Sequence, residues 1–445
     1  MHNLACTETV FPELISDMKI LKIIHGYPPV YNAGSEVYSQ SMCSELSKSH
    51  QVEVVTREEN PYLPDFSVRK VGIHENLHLN FINKRFDKDQ YNNKNIDYKF
   101  SKIIERFQPD IAHIGHLNHL SLGIIPVLKK NSIPIVFTLH DFWLMCPRGQ
   151  FLQRNYGNKE FFQLCSSQEN RKCAENCYNM YFSDSEYCEE DAAYWEKWIE
   201  KRMDETRRVS SLTDLFIAPS RYLRERFIRE FDIPEHKIIY LDYGFPNEYL
   251  KPAAYMQTEK FTFGYIGTHI PSKGVNLLIE AFIKLYAEFR KDCRLIIFGR
   301  HQGQNTDYLR RVSSGYPIEF RNEYMNEEIA EKVFSETDCI VVPSVWGENS
   351  PLVIHEAQAC RIPVITADYG GMKEYVNEGV NGLLFQHRDS DDLCKKMKEA
   401  AANPIKMKEL GQRGYLYSEN GDVPDIGEHC RQLVKIYASL IQKKT

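Results

Sequence analysis

The sequence predicts an α/β protein made of two doubly wound domains, each a parallel sheet covered by helices. The chain has 445 residues, more than the about 250–300 residues at which a single hydrophobic core usually stops growing. Two series of short, apolar, β-branched runs alternate with helical patterns, which favours parallel sheets. A polar stretch at 246–260, with Pro246 and Pro252, separates the two series and reads as a linker.

The first series contains the predicted strands 18–24, 51–56, 110–114, 133–138, 215–220 and 237–241, and a predicted helix over 36–47. Residues 147–210 interrupt the alternation between the fourth and fifth of these strands. They are polar, carry several cysteines and end in a helical pattern near 192–210. We therefore predict an insertion in the first domain.

The second series contains the predicted strands 261–266, 294–298, 339–342 and 363–366, and a helix over 277–290 with an apolar face. The predicted organisation is an N-terminal extension (1–17), a first domain (18–248), a second domain (257–423) and a C-terminal helix (424–445) that crosses back to the first domain. In doubly wound sheets, ligands bind at the carboxyl ends of the strands. The sequence therefore predicts a ligand site in the crevice between the domains.

Composition narrows the function classes. Hydrophobic residues make up 42% of the chain and charged residues 26%, values typical of a globular protein. The net charge of −6 lacks the basic footprint of a nucleic-acid binder. There is no apolar run of eighteen residues and no signal-peptide pattern. These features predict a cytoplasmic protein, and they leave open peripheral contact with the inner face of a membrane.

The segment Trp346-Gly-Glu-Asn-Ser-Pro-Leu-Val-Ile-His-Glu356 carries the strongest chemical signal. It follows a buried strand, and its Ser350-Pro351 pair predicts a helix with Ser350 at the N-cap and Pro351 at the first helical position. Free amides and the macrodipole at a helix start favour an anion such as phosphate. The segment therefore predicts a phosphate site.

Two carboxylates, Glu348 and Glu356, bracket this predicted helix start. Carboxylates near a phosphate are explained if they bind the hydroxyls of an attached sugar, since a carboxylate accepts two hydrogen bonds from a vicinal diol. The alternative is that Glu348 is a solvated loop residue and Glu356 a charge on the helix surface. The spacing favours a site for a sugar joined to a phosphate.

The E-x(7)-E spacing, with Pro-Ser-x-Trp before it and Glu-Ala after it, resembles the retaining glycosyltransferases of family 4. Their fold is GT-B, in which two Rossmann-like domains face each other across a cleft. The likeness extends from about residue 18 to 403. Further matching motifs, in the family's order, are 28–36, 138–143, 264–274, 366–374 and 379–385.

The resemblance implies roles for individual residues. Glu348 binds hydroxyls of the donor sugar, Lys273 neutralises the diphosphate of the leaving nucleotide, and His140 lies beside the reacting sugar. Glu356 holds the ribose diol, and Gly34 lets the first-domain loop approach the diphosphate closely. The remaining implied donor contacts are Thr268, Asn349, Ser350, Pro351 and Leu352.

The sequence departs from the family pattern at the diphosphate grip. Family members usually carry an arginine where this chain has Thr268, followed by His269. Arg300 and Arg221 are candidates to replace that cation. A milder departure is Ala33-Gly34 in place of a glycine pair.

Together these features predict a retaining transfer of a hexose-type sugar from a UDP- or GDP-linked donor to an acceptor hydroxyl, in the biosynthesis of a glycan or glycoconjugate. The acceptor classes left open are a glycan, a lipid-linked molecule and a small molecule. No cofactor and no catalytic metal is expected. The alternatives are a nucleotide-sugar epimerase or a phosphorylase on the same fold, and a non-catalytic partner subunit of a glycosyltransferase.

Cysteines cluster in the predicted insertion. Cys146, Cys165, Cys173 and Cys177 could form a structural zinc site. Incidental thiols and disulfides are the alternatives, because the spacings are irregular and no CxxC pair occurs. Asp389-Ser-Asp391 matches a metal-binding DxD, but the first turn of a helix explains it better.

Overall fold

A computed structural model describes residues 17–85, 90–153, 162–179, 188–252, 260–289 and 293–443. The predicted N-terminal extension therefore lies almost wholly outside the described residues. The chain divides into two compact units. Unit 1 contains Met1–Thr138, Arg208–Ile217 and Ile426–Thr445, and unit 2 contains Leu139–Arg207 and Ala218–Asp425. The predicted domain limits, 18–248 and 257–423, differ from this division and stay predictions.

Fourteen strands lie in the described residues. They are β1 (Lys19–Ile23), β2 (Gln51–Glu58), β3 (Val68–His74), β4 (Leu77–Asn83), β5 (Ile111–Ile114), β6 (Ile135–Thr138), β7 (Leu215–Ala218), β8 (Ile238–Tyr240), β9 (Phe261–Ile266), β10 (Cys293–Phe298), β11 (Ile318–Arg321), β12 (Cys339–Val342), β13 (Val364–Ala367) and β14 (Gly382–Phe385).

The α-helices of the described residues are α1 (Gly34–Leu46), α2 (Lys94–Phe107), α3 (Ile124–Lys130), α4 (Asn170–Cys173), α5 (Glu189–Leu212), α6 (Arg221–Phe231), α7 (Val275–Glu288), α8 (Gly303–Val312), α9 (Ile329–Lys332), α10 (Leu352–Ala359), α11 (Ser390–Ala402), α12 (Pro404–Arg413) and α13 (Ile426–Gln442). A π-helical turn, Ala174–Asn179, continues α4.

Both sheets have the doubly wound order. The first runs β3-β4-β2-β1-β5-β6-β7-β8, and β3 joins it antiparallel to β4. The second runs β11-β10-β9-β12-β13-β14, and its pairs are parallel. In each sheet the order reverses beside the first strand, between β1 and β5 and between β9 and β12. The predicted α/β fold class, with two doubly wound, Rossmann-like sheets, is confirmed.

Several elements escaped the sequence analysis. The strands β3 and β4 form a pair that no prediction included, and β3 is largely exposed. β11 also escaped prediction. Residues 382–385, which lie in the motif at 379–385 and were not among the predicted strands, form the edge strand β14 beside β13. Short edge strands lack the continuous apolar run by which buried parallel strands are found.

The C-terminal helix α13 packs within unit 1. His429 of α13 hydrogen-bonds the hydroxyl of Tyr38 of α1 at 2.7 Å. Tyr437 contributes its hydroxyl to Nδ1 of His113 at 2.5 Å, and Nε2 of His113 lies 2.7 Å from Oγ1 of Thr138. His113 is thus a fully buried residue held by structural hydrogen bonds.

Asp389 lies before α11, where its carboxylate accepts hydrogen bonds from the amides of Asp391 and Asp392 at 2.9 Å. This is the geometry of an N-cap. Among the helices of the described residues, none is both long enough and apolar enough to span a bilayer.

Candidate active site

The second sheet changes direction between β9 and β12, which are neighbours in space but not in sequence. At such a switch point the loops that leave the two carboxyl ends open a crevice where ligands bind. The loop after β9 carries Thr268 and Lys273, and the loop after β12 leads through Trp346 and Glu348 into α10. The topology therefore brings together two motifs that are about seventy residues apart in sequence.

Lys273 closes a 3-10 turn, Pro271–Lys273, and Gly274 fixes where that turn ends. Gly274 has a φ of +74°, and a Cβ at this position would lie 1.8 Å from the carbonyl oxygen of Pro343. Only glycine fits such a close approach in the left-handed region. The backbones of the loops after β9 and β12 are therefore in direct contact. This contact positions Lys273 beside Glu348.

Lys273 and Glu348 form an ion pair. Nζ of Lys273 lies 2.6 Å from Oε1 of Glu348, and the same oxygen accepts a hydrogen bond from Oγ of Ser344 at 2.5 Å. Glu348 is 7% exposed, and the ammonium group lies 5.9 Å from the centre of the Trp346 ring. The alternative of a solvated Glu348 does not fit this burial.

The chain after Glu348 is held by side-chain bonds. The Asn349 side chain accepts a hydrogen bond from Oγ of Ser220 at 2.6 Å and donates one to the carbonyl oxygen of Leu139 at 3.1 Å. Oγ of Ser350 donates to Asp242 at 3.1 Å. All of these residues belong to unit 2. The backbone of Asn349–Leu352 is therefore fixed before any ligand arrives.

The start of α10 differs from the prediction by one residue. The helix begins at Leu352, Pro351 occupies the N-cap with an extended ψ of 118°, and no side chain caps it. The expectation that Ser350 is the N-cap is therefore wrong. The reason is that the Ser350 hydroxyl bonds Asp242 instead of the helix amides. Those first amides consequently keep no capping side chain.

A second glycine, Gly371, holds the backbone of Glu348 in place. The amide of Gly371 donates to the carbonyl oxygen of Glu348 at 2.7 Å. A Cβ at Gly371 would lie 1.5 Å from the carbonyl oxygen of Asn349, so no larger residue fits. The glycine pair of the motif at 366–374 thus buttresses the loop that carries the first carboxylate.

His140 is connected to the same loop through Tyr243. Its Nδ1 lies 2.6 Å from the Tyr243 hydroxyl, and the two rings stack at an interplanar angle of 18°. That hydroxyl also lies 3.5 Å from Nδ2 of Asn349. The segment after His140 is held in place by Arg202 of α5, which donates a hydrogen bond to the carbonyl oxygen of Trp143 at 2.7 Å. The structure therefore brings His140 and Asn349 together.

Glu356 lies one turn inside α10, and its surroundings differ from those of Glu348. Burial raises its pKa to about 7, and the neighbouring His355 opposes this rise. The charge of Glu356 adds to burial in raising the pKa of Tyr249 and of Tyr324, so both rings lie near it. Glu356 has no hydrogen-bond or salt-bridge partner within the part of the chain that the structure describes.

Both candidate substitutes for the missing arginine already contact other residues. Arg300 is exposed and lies 3.8 Å from Glu323, whereas Arg221 stacks 4.4 Å from the ring centre of Tyr240. Burial lowers the pKa of His269 to about 4, so this side chain is neutral at neutral pH. Thr268 accepts a hydrogen bond on its backbone oxygen from the Tyr265 hydroxyl at 3.0 Å.

Gly34 is exposed at the first position of α1. It belongs to unit 1, whereas the other predicted donor contacts belong to unit 2. Its proposed approach to the diphosphate stays a prediction.

The four cysteines of the predicted zinc site line one cavity of unit 2. None of them forms a disulfide. Among the described residues, however, no three His, Cys, Asp or Glu side chains lie close enough together to hold a metal ion. Burial raises the pKa of Cys173 to about 12, which disfavours its thiolate. The zinc site therefore stays a prediction.

Two buried residues that the sequence analysis missed are Asp242 and His355. Their side chains lie 3.0 Å apart, between Oδ2 and Nε2, next to Ser350 and Pro351. A histidine directly before Glu356, flanked by the buried apolar residues Ile354 and Ala357, was the available signal. Nothing in the sequence around Asp242 shows which residue it meets.

Two family models match the chain in adjoining regions. Glycosyltransferase Family 4 matches residues 33–245, and Glycosyl transferases group 1 matches residues 250–417. The E-x(7)-E segment, Lys273, Gly274 and Gly371 fall in the second match, and Gly34 falls in the first. The chain is a family 4-like glycosyltransferase with the GT-B fold.

Relatives and solved structures agree with this assignment. An uncharacterized glycosyltransferase of Methanocaldococcus jannaschii is 26% identical to this glycosyltransferase over 408 residues, which is 90% of this chain and 93% of the relative. D-inositol 3-phosphate glycosyltransferase of Rhodococcus opacus is 27% identical over 163 residues, 35% of this chain and 36% of that protein.

Among solved structures, Anabaena HepE matches with a TM-score of 0.64 at 15% identity, covering 95% of this chain and 100% of HepE. Sucrose-phosphate synthase of Thermosynechococcus elongatus matches with a TM-score of 0.63 at 17% identity, covering 96% and 98%. At these identities the likeness establishes the fold of the glycosyltransferase.

Proposed function

We propose that this glycosyltransferase moves a hexose-type sugar from a UDP- or GDP-linked donor to an acceptor hydroxyl, with retention at the anomeric carbon. The donor binds in unit 2, at the switch point between β9 and β12. Its diphosphate faces Lys273 and the start of α10, its sugar faces Glu348, and its ribose faces Glu356. The observation that carries the proposal is the ion pair between the partly exposed Lys273 and the buried Glu348, beside an uncapped helix start.

Lys273 has unused hydrogen-bonding capacity. An ammonium group has three N–H donors, and Lys273 uses one of them on Glu348. Its side chain is 34% exposed, so a ligand can reach it. A diphosphate leaving group develops negative charge as the glycosidic bond breaks, and a fixed cation stabilises that charge in the transition state.

Glu348 also retains capacity after pairing. A carboxylate offers about four acceptor positions, and Lys273 and Ser344 use Oε1. Oε2 is consequently the atom that we assign to the donor sugar's hydroxyls. The backbone of Asn349 to Leu352 would then contact the sugar and the diphosphate, since the first amides of α10 have no capping side chain.

Glu356 suits a diol because it is partly buried and has no hydrogen-bond or salt-bridge partner among the described residues. The hydroxyls of a ribose can satisfy such a carboxylate without introducing a competing charge. HepE, which shares the fold, was crystallised with UDP and glucose. This supports a nucleotide sugar as the donor class, and it leaves the base and the sugar of this chain to experiment.

Retention is proposed from the family resemblance, and a front-face displacement is proposed because no nucleophile is assigned at the site. In a front-face displacement the leaving phosphate helps to accept the proton of the acceptor hydroxyl, and catalysis consists of positioning and charge stabilisation. His140, bonded to Tyr243 beside Asn349, is the residue that we assign to the vicinity of the reacting sugar. No metal takes part in this proposal, and a cytoplasmic location with a glycan, lipid-linked or small-molecule acceptor belongs to it.

The test is a donor screen that measures nucleotide release from UDP-, GDP- and ADP-sugars with a panel of acceptors. The proposal expects release of UDP or GDP that depends on acceptor, and NMR of the product should show the anomeric configuration of the donor. Conversion of the donor without acceptor would instead identify an epimerase. Absence of release with every donor would overturn the proposal.

Lys273→Met is the matching variant, with Lys398→Met as control. Lys398 forms a comparable but exposed ion pair with Glu288 at 2.8 Å. The proposal expects loss of activity with the first variant and wild-type activity with the second. Equal activities would show that Lys273 does not serve the donor.

A further inference from the structure

Asp242 is a buried carboxylate that gathers hydrogen bonds from several elements of unit 2. It follows β8 and is 6% exposed. Burying a carboxylate is costly unless its oxygens are satisfied. Its donors are the Tyr243 amide at 2.8 Å, Oγ of Ser350 at 3.1 Å, Nε2 of His355 at 3.0 Å and the Tyr415 hydroxyl at 2.8 Å. The Tyr375 hydroxyl lies 3.3 Å from Asp242 and donates its one proton to the carbonyl oxygen of Pro219 at 2.7 Å.

These contacts keep Asp242 ionised. Burial alone would raise its pKa, but the charge and hydrogen bond of His355, together with Tyr415 and the Tyr243 amide, hold that pKa below its ordinary value. An ionised carboxylate only accepts hydrogen bonds. The nitrogen of His355 that faces Asp242 must therefore carry a proton.

The other nitrogen of His355 faces a second acceptor. Nδ1 lies 3.2 Å from the carbonyl oxygen of Pro351, which can only accept. A neutral imidazole has one N–H, whereas these two bonds need two. The geometry therefore indicates that His355, which is fully buried, is an imidazolium.

Aromatic rings enclose this cation. Phe245 stacks on the His355 ring at 4.9 Å between centroids, Tyr375 lies at 4.3 Å and Tyr415 at 5.5 Å. Aromatic faces attract a desolvated cation. The titratable groups that act on His355 or bond it are Asp242, Glu356, Tyr375 and Tyr415.

We infer that Asp242 and protonated His355 are a positioning pair that sets the start of α10 for the donor. Asp242 holds the Ser350 hydroxyl, and His355 holds the Pro351 carbonyl, so the pair grips two consecutive residues of the donor-facing backbone. Through the adjacent residue, Tyr243, the same pair is connected to His140. This inference rests on the proposed function, because it assigns a purpose to the backbone from Asn349 to Leu352.

The first test does not depend on activity. Histidine labelled with ¹⁵N in the full-length protein, free of ligand, gives long-range ¹H–¹⁵N correlations that distinguish an imidazolium, with two similar ring nitrogens, from a neutral tautomer, with two different ones. The His355 signals are those lost in His355→Gln. We expect the imidazolium that the two hydrogen bonds to Asp242 and Pro351 require. A neutral tautomer would overturn the inference.

The second test separates positioning from general stability. Asp242→Asn and His355→Gln should each raise the donor KM roughly 10- to 100-fold, because displacing a binding backbone by a fraction of an ångström is costly, while kcat changes less. The double variant should be less impaired than the product of the two single effects, since each single change leaves a buried partner uncompensated.

The control is His429→Gln, a buried histidine of unit 1 that bonds Tyr38. It makes the same chemical change in the other unit, and the donor KM should stay at the wild-type value. A KM for His355→Gln equal to that of this control would refute the positioning role. If wild type releases nucleotide from no donor, the proposed function fails, whereas the protonation state of His355 is still decided by NMR.

Discussion

Glu348 and Glu356 belong to one short segment of unit 2, yet the protein treats the two carboxylates differently. Glu348 is paired with Lys273 at 2.6 Å and bonded by Ser344 at 2.5 Å. Glu356 has no such partner in the part of the chain that is described, and burial raises its pKa to about 7. The carboxylate of Glu348 therefore has hydrogen-bond partners before a ligand binds, whereas the carboxylate of Glu356 has none among the described residues.

The difference shows where binding energy is stored. Glu356 is partly buried, and desolvating a carboxylate that has no partner costs stability; residues of this kind persist at functional sites. A ligand that supplies two hydroxyls to Glu356 removes that cost when it binds. At Glu348 the cost is already removed, so that end of the segment offers a preorganised cation and a fixed backbone.

The largest effect is expected at the paired end. Lys273→Met should reduce kcat/KM by roughly 10²- to 10³-fold, because it removes a cation aimed at developing charge and leaves Glu348 uncompensated. Initial-rate kinetics of nucleotide release measure this loss. The assignment of Lys273 to the diphosphate would not survive a loss below about threefold, which falls within ordinary surface effects.

Glu356→Gln should have a smaller effect of a different kind. An amide of the same shape accepts fewer hydrogen bonds from a diol, so the donor KM should rise about 10- to 100-fold with little change in kcat. Glu331→Gln, an exposed glutamate, serves as control. A loss confined to kcat would place Glu356 at the reacting centre instead of the ribose.

The same variant, Glu356→Gln, tests whether the carboxylate of Glu356 lowers the stability of the ligand-free protein. In wild type the folded-state pKa of Glu356, about 7, exceeds its unfolded value of 4.5. The folded state therefore binds more protons between these values, and this contribution to stability is lost as pH rises from about 4.5 to 7. Because glutamine does not titrate, the Glu356→Gln variant does not lose this stability as pH rises.

The free energy of unfolding of Glu356→Gln should consequently exceed that of wild type at pH 8 by up to about 3 kcal/mol, and the difference should shrink toward pH 5. Thermal or denaturant unfolding at several pH values measures it. Equal stability of the two proteins at pH 8 would show that Glu356 finds a partner in solution.

The sequence predicted one side of this comparison better than the other. The spacing of Glu348 and Glu356, and the doubly wound alternation, follow from local patterns and from the rule that strand ends carry ligand sites. The Lys273–Glu348 contact could be expected only through the family resemblance, because it joins residues 75 positions apart.

Two kinds of feature were beyond such patterns. The strands β3, β11 and β14 are short or partly exposed edge strands with a weak apolar signal. The Asp242–His355 pair depends on tertiary packing, since it joins a strand end to a helix 113 positions later. The misplaced N-cap has the same cause: Ser350 has a sequence preference for capping, but a long-range acceptor takes its hydroxyl.

The smallest effect is expected where the chain departs from its family. Thr268 leaves Lys273 as the cation of the pattern at the diphosphate, and His269 does not replace the arginine because its pKa is lowered to about 4. Thr268→Arg should therefore lower the Kd of UDP or GDP by about two- to fivefold and steepen its dependence on salt, as expected for one added cation in a partly exposed position. Thr268→Gln adds length without charge and should leave both quantities unchanged. Calorimetric titration at two salt concentrations decides the matter, because a gain that Gln reproduces would come from packing, whereas a gain specific to Arg would show that the diphosphate lies within reach of the β9 loop.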